Sequence, residues 1–289
     1  MSPFSNSSLS LARARPEGDW VADRSIITYG VPIGVRTNRA EFLDRILDYA
    51  PPLWHPASNR SVERLFSFRF GGRGSAHLLL DDREAAARFH TLKAILEAFE
   101  VRVKMYVAEM ARRRVFVHAA VVGWKGEAII VPGRTMSGKT SLAAELVRAG
   151  ADYYSDEYAV LDARGRVYPY PKPLAMRKDG EGKQKKCRVE EFGGVTGTRP
   201  LPVGMVVVTP FKASGRWRPR PLSPGQAVLE LLANTIPARR KPEMVISALQ
   251  RAVSGATALK GVRGEAEKTA RLILDRCEND PIRGRKEIA

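Results

Sequence analysis

The 289-residue sequence predicts an α/β fold with a smaller α+β lobe ahead of it, and three adjoining stretches carry that expectation. Glu127-Ala128-Ile129-Ile130-Val131 is an apolar run of strand length, closed by Pro132 and Gly133. Residues 133–140 read GRTMSGKT and fit G-x-x-x-x-G-K-[ST], a loop whose backbone amides and lysine cradle phosphates while its Ser/Thr hydroxyl reaches Mg²⁺. Leu142, Ala143, Leu146 and Val147 then recur on one helical face, with Gly150 where a C-terminal cap belongs. Strand, glycine loop and helix together aim a helix N-terminus and its free amides at an anion.

The remaining elements follow in chain order. Residues 1–18 are rich in Ser, Arg and Pro and are expected to be disordered. Residues 19–110 form the small lobe. Its strand-like runs are 25–29, 65–70 and 77–80, with a helical stretch near 39–48, and a helical pattern covers 81–114 through Phe89, Leu92, Ile95, Leu96 and Phe99. Residues 111–289 form the second domain. There the strand 115–122 turns at 123–126 into the strand before the glycine loop. Tyr153-Tyr154-Ser155 runs into Asp156-Glu157, residues 158–168 suggest a hairpin, and 203–209 is a strand. Residues 226–234, 243–253 and 265–274 read as helices.

Composition narrows the class. Forty-eight basic against 31 acidic residues leave +17, in patches such as 112–114, 177–188, 212–220, 239–241 and 283–286. Such a surface favours anionic partners: nucleotide, an acidic peptide or a phosphorylated product. No zinc-finger spacing, basic region with heptads or aromatic RNA-binding signature accompanies it, so nucleic acid is not the expected partner. No run of about 18 apolar residues occurs and the N-terminus lacks a signal-peptide core, so no membrane association and a cytoplasmic location are expected. Cys187 and Cys277 form neither a disulfide framework nor a metal-site spacing.

Phosphoryl transfer needs phosphate positioning, charge neutralisation and a group to take the nucleophile's proton. Lys139 and the amides of Gly133, Arg134, Thr135, Met136, Ser137, Gly138, Thr140 and Ser141 are the candidates for binding ATP, and Thr140 for holding Mg²⁺. Asp156 and Glu157 end a strand 17 and 18 residues after Lys139, near where open α/β sheets bind ligands, and one can hold metal while the other acts as base. Taken alone, His118 in the apolar strand Val117-His118-Ala119-Ala120 reads as a hydrogen-bonded core histidine.

With His118 15 residues before Gly133, and Asp156 following the loop helix, residues 115–177 resemble the catalytic core of the HPr kinase/phosphorylase family and its kinase-like relatives. Residues 153–160 and 169–177 are similar to a divergent, HPr-kinase-related subgroup often associated with peptide-modifying systems. The resemblance implies a P-loop kinase core of HPr kinase C-terminal-domain type, using ATP and Mg²⁺. It further implies that Asp156 deprotonates the acceptor hydroxyl, that His118 positions or tunes it, and that Glu157 helps Thr140 hold Mg²⁺.

The chain departs from the family at Glu157, where bifunctional members carry Asp, and at Ala175, which stands where a metal-binding glutamate precedes an arginine, here Arg177. Glu181, Glu190 or Glu191 are the alternative carboxylates. The glycine-rich segment that follows the arginine in bifunctional members is not recognisable, so a reverse phosphorylase reaction is not expected. Arg177 is a candidate for stabilising the transferring phosphate or an anionic acceptor, or is a solvated member of its basic loop. The acceptor implied is a serine of a protein or peptide, with a small-molecule alcohol such as free serine equally compatible; the chain alone leaves homo-oligomerisation open. A nucleotide-binding regulatory protein with weak or no transfer is the rival reading, and a nucleic-acid-dependent ATPase a third that rests on charge alone.

Overall fold

A computed structural model describes residues 9–10, 19–58, 61–72, 74–81, 84–134, 137–177 and 184–279. The chain divides into two compact units, Met1–Arg113 and Arg114–Ala289, and is a mixed α/β protein. The disorder expected for 1–18 lies outside the described residues, except that Leu9–Ser10 pairs antiparallel with Ser61 and Val62.

In the first unit a six-stranded mixed sheet runs β3-β1-β2-β4-β5-β6. The strands are β1 (Ala22–Thr28), β2 (Val31–Thr37), β3 (His55–Pro56), β4 (Arg64–Arg69), β5 (His77–Asp81) and β6 (Glu84–Phe89). Tyr29 and Gly30 both have positive φ, 48° and 80°, the twist a two-residue hairpin between β1 and β2 needs. The short helix α1 (Leu43–Leu47) follows β2, and α2 (Leu92–Met110) is capped by the Thr91 hydroxyl, which accepts from the Ala94 amide at 3.2 Å. The buried face of α2 carries Ile95, Leu96, Phe99, Val103 and Val107, and the Phe99 ring meets Phe66 and Phe68 edge-on at 5.1 and 5.2 Å. The helical pattern expected from residue 81 is corrected here. Residues 84–89 form β6, antiparallel to β5, because hydrogen bonding to a strand edge outweighs the high helix propensity of Glu-Ala-Ala-Ala-Arg, which cannot hold so short a helix by itself.

The second unit is a sheet sandwiched between two helical layers. Its strands are β7 (Val115–Trp124), β8 (Glu127–Pro132), β9 (Asp152–Ser155), β10 (Tyr158–Leu161), β11 (Val167–Tyr168), β14 (Val203–Val208), β15 (Arg220–Pro221) and β16 (Thr257–Lys260); β12 (Leu174–Arg177) and β13 (Gln184–Cys187) make a separate hairpin. The sheet order is β11-β10-β7-β8-β14-β16-β15, with β9 also pairing β7. β8, β14 and β16 run parallel and the other pairs antiparallel.

Alternation along β7 sorts its side chains between two cores. Val115, Val117, Ala119 and Val121 pack with Leu231 of α4 (Pro224–Leu232) and Leu249 of α5 (Pro242–Val253), whereas Ala120 and Val122 pack with Leu142 and Leu146 of α3 (Lys139–Arg148) and Ile273 of α6 (Ala266–Glu278). Gly150 ends α3 with φ +100°: its amide reaches Val147 O at 2.9 Å, and that of Ala151 reaches Leu146 O at 3.0 Å, a Schellman closure. Among the described residues no helix is long and apolar enough to cross a membrane.

Candidate functional site

The long strand β7 gathers the candidate residues because it is paired on both edges. On one edge Ala119 faces Pro132 of β8; on the other His118 faces Tyr158 of β10. One residue beyond these pairs, the Gly133 amide donates to His118 O at 3.2 Å, and the Ala119 amide donates to Glu157 O at 3.2 Å. The first glycine of the loop and the acidic pair therefore flank the same two residues of one strand. His118 has the parity of Ala120 and Val122, so its half-buried side chain lies on the α3 face, and its ring is tilted against Tyr158 at 6.0 Å.

The loop turns tightly between β8 and α3. A Cβ on Gly133 would meet Ser137 Oγ at 2.8 Å, and the Ser137 amide donates to Arg134 O at 3.3 Å. Gly138, the N-cap of α3, has φ +80°, a left-handed conformation that admits the turn because no side chain is present. Lys139 is 7% exposed, and its Nζ donates to Arg134 O at 2.7 Å. Burial brings its pKa down to about 8; the nearby Asp156 and Glu157 carboxylates pull the other way, and burial wins. Arg134 and Ser141 are exposed, while Thr135 and Met136 lie outside the described residues.

The acidic pair is held by a hydroxyl turn. Ser155, fully buried, accepts through Oγ from the amides of Glu157 at 3.0 Å and Tyr158 at 2.9 Å. That turn delivers Asp156 to the start of α3, where Thr140 Oγ1 donates to Asp156 Oδ2 at 3.0 Å. The Tyr153 hydroxyl lies 3.0 Å from Asp156 Oδ1 and 2.8 Å from Lys172 O, and the Ala175 amide reaches Asp156 Oδ2 at 3.4 Å. Burial pushes the Asp156 pKa up, opposed by the hydrogen bonds from Tyr153, Thr140 and Ala175 and assisted by the charge of Glu157. Tyr153 is in turn held well above the usual phenol range, by burial first and by Asp156 second.

Several placements bear on the departures from the family pattern. Ala175 contributes a backbone N–H to Asp156 and no carboxylate. Arg177 closes β12 opposite Gln184. Glu181 lies outside the described residues, Glu190 is exposed, and Glu191 is engaged with the Arg188 amide at 2.7 Å and Lys185 Nζ at 3.1 Å. Among the described residues no three His, Cys, Asp or Glu side chains cluster as a metal site. The Thr140 hydroxyl beside the Asp156 carboxylate is nonetheless an all-oxygen donor set. It suits a hard cation such as Mg²⁺, which takes one or two carboxylates plus substrate phosphates instead of a full protein cage.

Sequence reasoning missed Tyr153 as a partner of Asp156, the Ala175 amide, and Arg263, whose Nη2 donates to Gly138 O at 2.8 Å from 125 residues away. Tyr153 was legible only as a strand residue, and no local pattern marks Arg263. Compared with known proteins, the chain matches no family model and no curated protein.

Proposed function

We propose that the second unit is an HPr-kinase-like P-loop phosphotransferase that passes the γ-phosphate of ATP to a hydroxyl, most readily a serine of a protein or peptide. The observation that carries the reading is the 3.0 Å bond between Thr140, in the first turn behind the glycine loop, and Asp156. It joins the side chain expected to hold the metal to the side chain expected to take the proton.

In this reading the loop amides and Lys139 hold the β- and γ-phosphate oxygens. Thr140 and Glu157, with Asp156 adjoining, would hold Mg²⁺, which when bound neutralises charge on those oxygens. Asp156 accepts the proton of the incoming hydroxyl as the new O–P bond forms and the bond to the β-phosphate oxygen breaks, leaving ADP. Its raised pKa makes it a stronger base than a solvated carboxylate. Tyr153 holds Oδ1 in place during the transfer. His118, on the α3 face of β7, positions or tunes Asp156. The patches of the +17 surface favour an acidic peptide, and a small alcohol such as free serine is compatible with the same chemistry.

Ala175 favours a second reading, a regulatory nucleotide-binding protein, because it supplies an amide where the family pattern has a carboxylate. Incubation with γ-labelled ATP, Mg²⁺ and fractionated host peptides and metabolites separates the two. Label transferred by the wild type and lost in Lys139→Ala supports the kinase; ATP binding with no transfer to any fraction supports the regulator.

A further inference from the structure

Arg263 is 2% exposed, yet its guanidinium has no carboxylate partner among the described residues. Its Nη2 donates to Gly138 O at 2.8 Å and its Nη1 to Gly264 O at 3.0 Å, while Nε is buried with no hydrogen-bond partner. The adjoining Glu265 is paired with Lys268 at 2.8 Å and does not supply the missing charge. The Phe211 ring covers the guanidinium, with Cζ 5.2 Å from its centroid. The backbone is fixed on both sides: the Arg263 amide donates to Pro210 O at 3.1 Å, and Arg263 O accepts from the Lys212 amide at 2.9 Å. A cation buried without a counter-charge is among the costliest arrangements a folded chain can keep.

The cation is also where an anion would find it. β8, β14 and β16 are parallel, and the segments leaving their carboxyl ends are the glycine loop, the stretch through Thr209 and Phe211, and the stretch through Arg263. That edge is where open α/β sheets bind ligands. Two further buried polar atoms lack partners there, Ser137 Oγ and Thr209 Oγ1. Arg263 fits so closely against the N-cap of α3 that a Cβ on Gly138 would lie 2.2 Å from its Nη2.

We infer that Arg263 is a positioning residue of this site whose charge is compensated by the polyphosphate the loop holds, so that affinity for nucleoside triphosphates and inorganic tripolyphosphate depends on Arg263 as well as on Lys139. The inference rests on the loop being a phosphate site, as proposed above. Arg263 acts through Gly138: it fixes the left-handed residue that turns the loop amides inward, and it adds its positive charge to the helix N-terminus. A purely structural arginine would lower only the stability of the ligand-free protein when removed; one whose charge the bound polyphosphate compensates also lowers the affinity for that anion and its salt dependence.

The test compares wild type, Arg263→Met, Arg263→Lys and Lys139→Ala by titration calorimetry with inorganic tripolyphosphate and by thermal melting without it. Arg263→Met is expected to bind at least tenfold more weakly, with a shallower salt dependence, beyond any lowering of its melting temperature from the lost bonds to Gly138 O and Gly264 O; Arg263→Lys is expected to recover most of that affinity. Wild-type affinity in Arg263→Met, or a loss that lysine does not reduce, overturns the inference. If the wild type binds tripolyphosphate and only Lys139→Ala loses it, the phosphate-site reading stands and this inference falls; if the wild type binds neither tripolyphosphate nor ATP, both fall. Should Arg263→Met not fold, hydrogen exchange on the wild type decides. The amides of Lys212 and Arg263 are expected to slow when tripolyphosphate is added, and unchanged exchange overturns the inference.

Discussion

If the glycine loop holds nucleotide phosphates as proposed, Lys139 must tie nucleotide affinity to pH in a direction the site determines. Burial lowers its pKa from 10.5 to about 8, so the ligand-free protein begins to lose this charge just above neutrality. Phosphate oxygens placed on Nζ favour the charged form and return the pKa toward its ordinary value. Binding must then take up a proton, about 0.5 at pH 8 and about 0.9 at pH 9, and affinity must weaken as pH rises through the ligand-free pKa. With a bound-state pKa near 10.5, the expected loss between pH 7.5 and 9.5 is about twentyfold, somewhat less where solvent and salt screen the ammonium. ATP itself is fully ionised across that range, so the effect belongs to the protein. Calorimetry of ATP binding in buffers of different ionisation enthalpy counts the protons directly, and Lys139→Met, lacking the titrating group, should show neither uptake nor pH dependence. A wild-type affinity that is flat from pH 7.5 to 9.5, or a dependence that persists in Lys139→Met, would refute the placement of phosphate on Lys139.

Gly138→Ala forces a Cβ to within 2.2 Å of Arg263 Nη2 at φ +80°, where an L-residue costs about 1–2 kcal/mol; a lower melting temperature and a loss of ATP affinity are expected, and unaltered binding would contradict the loop geometry. Tyr153→Phe removes a hydrogen bond that favours ionised Asp156, so the Asp156 pKa rises further. The acid limb of the transfer rate should then move to higher pH with ATP affinity unchanged, whereas an unmoved limb would separate Asp156 from the titration. In the first unit, Arg64 grips Asp81 through Nε–Oδ1 at 2.7 Å and Nη2–Oδ2 at 2.5 Å, both side chains buried. Asp81→Asn breaks this buried pair and should cost about 3–5 kcal/mol in urea unfolding, and a cost below about 1 kcal/mol would show that water reaches the pair.

The second unit was legible in sequence wherever a local rule dictated the backbone. The run 128–131 is apolar with no polar interruption, Gly150 answers the need for a left-handed cap, and the 3.6-residue spacing of Leu142, Leu146 and their neighbours marks the buried face of α3. Less legible were elements fixed by a pairing partner and not by their own pattern. β16 is four residues long and is a strand because it pairs with β14 about 50 positions earlier; β2 follows a two-residue turn whose first residue is a tyrosine, not one of the usual turn formers; β6 takes its conformation from β5. The same limit applies to the site. His118, Gly133 and Glu157 meet because both edges of β7 are occupied, which spacing can suggest but only register determines. Tyr153 joins Asp156 through a turn shaped by Ser155, and Arg263 reaches Gly138 across 125 residues, a contact with no local signature.

Whether Asp156 takes the proton in a phosphoryl transfer from ATP is decided by comparing Asp156→Asn with wild type in both ATP binding and γ-phosphate transfer. Asparagine keeps the size of the side chain and one of its two acceptor oxygens, and loses the basicity. With Asp156 as the base, ATP affinity stays within about threefold of wild type and the transfer rate falls by about 10²–10⁴. Transfer at the wild-type rate would contradict it, as would a wild type that binds ATP and transfers nothing.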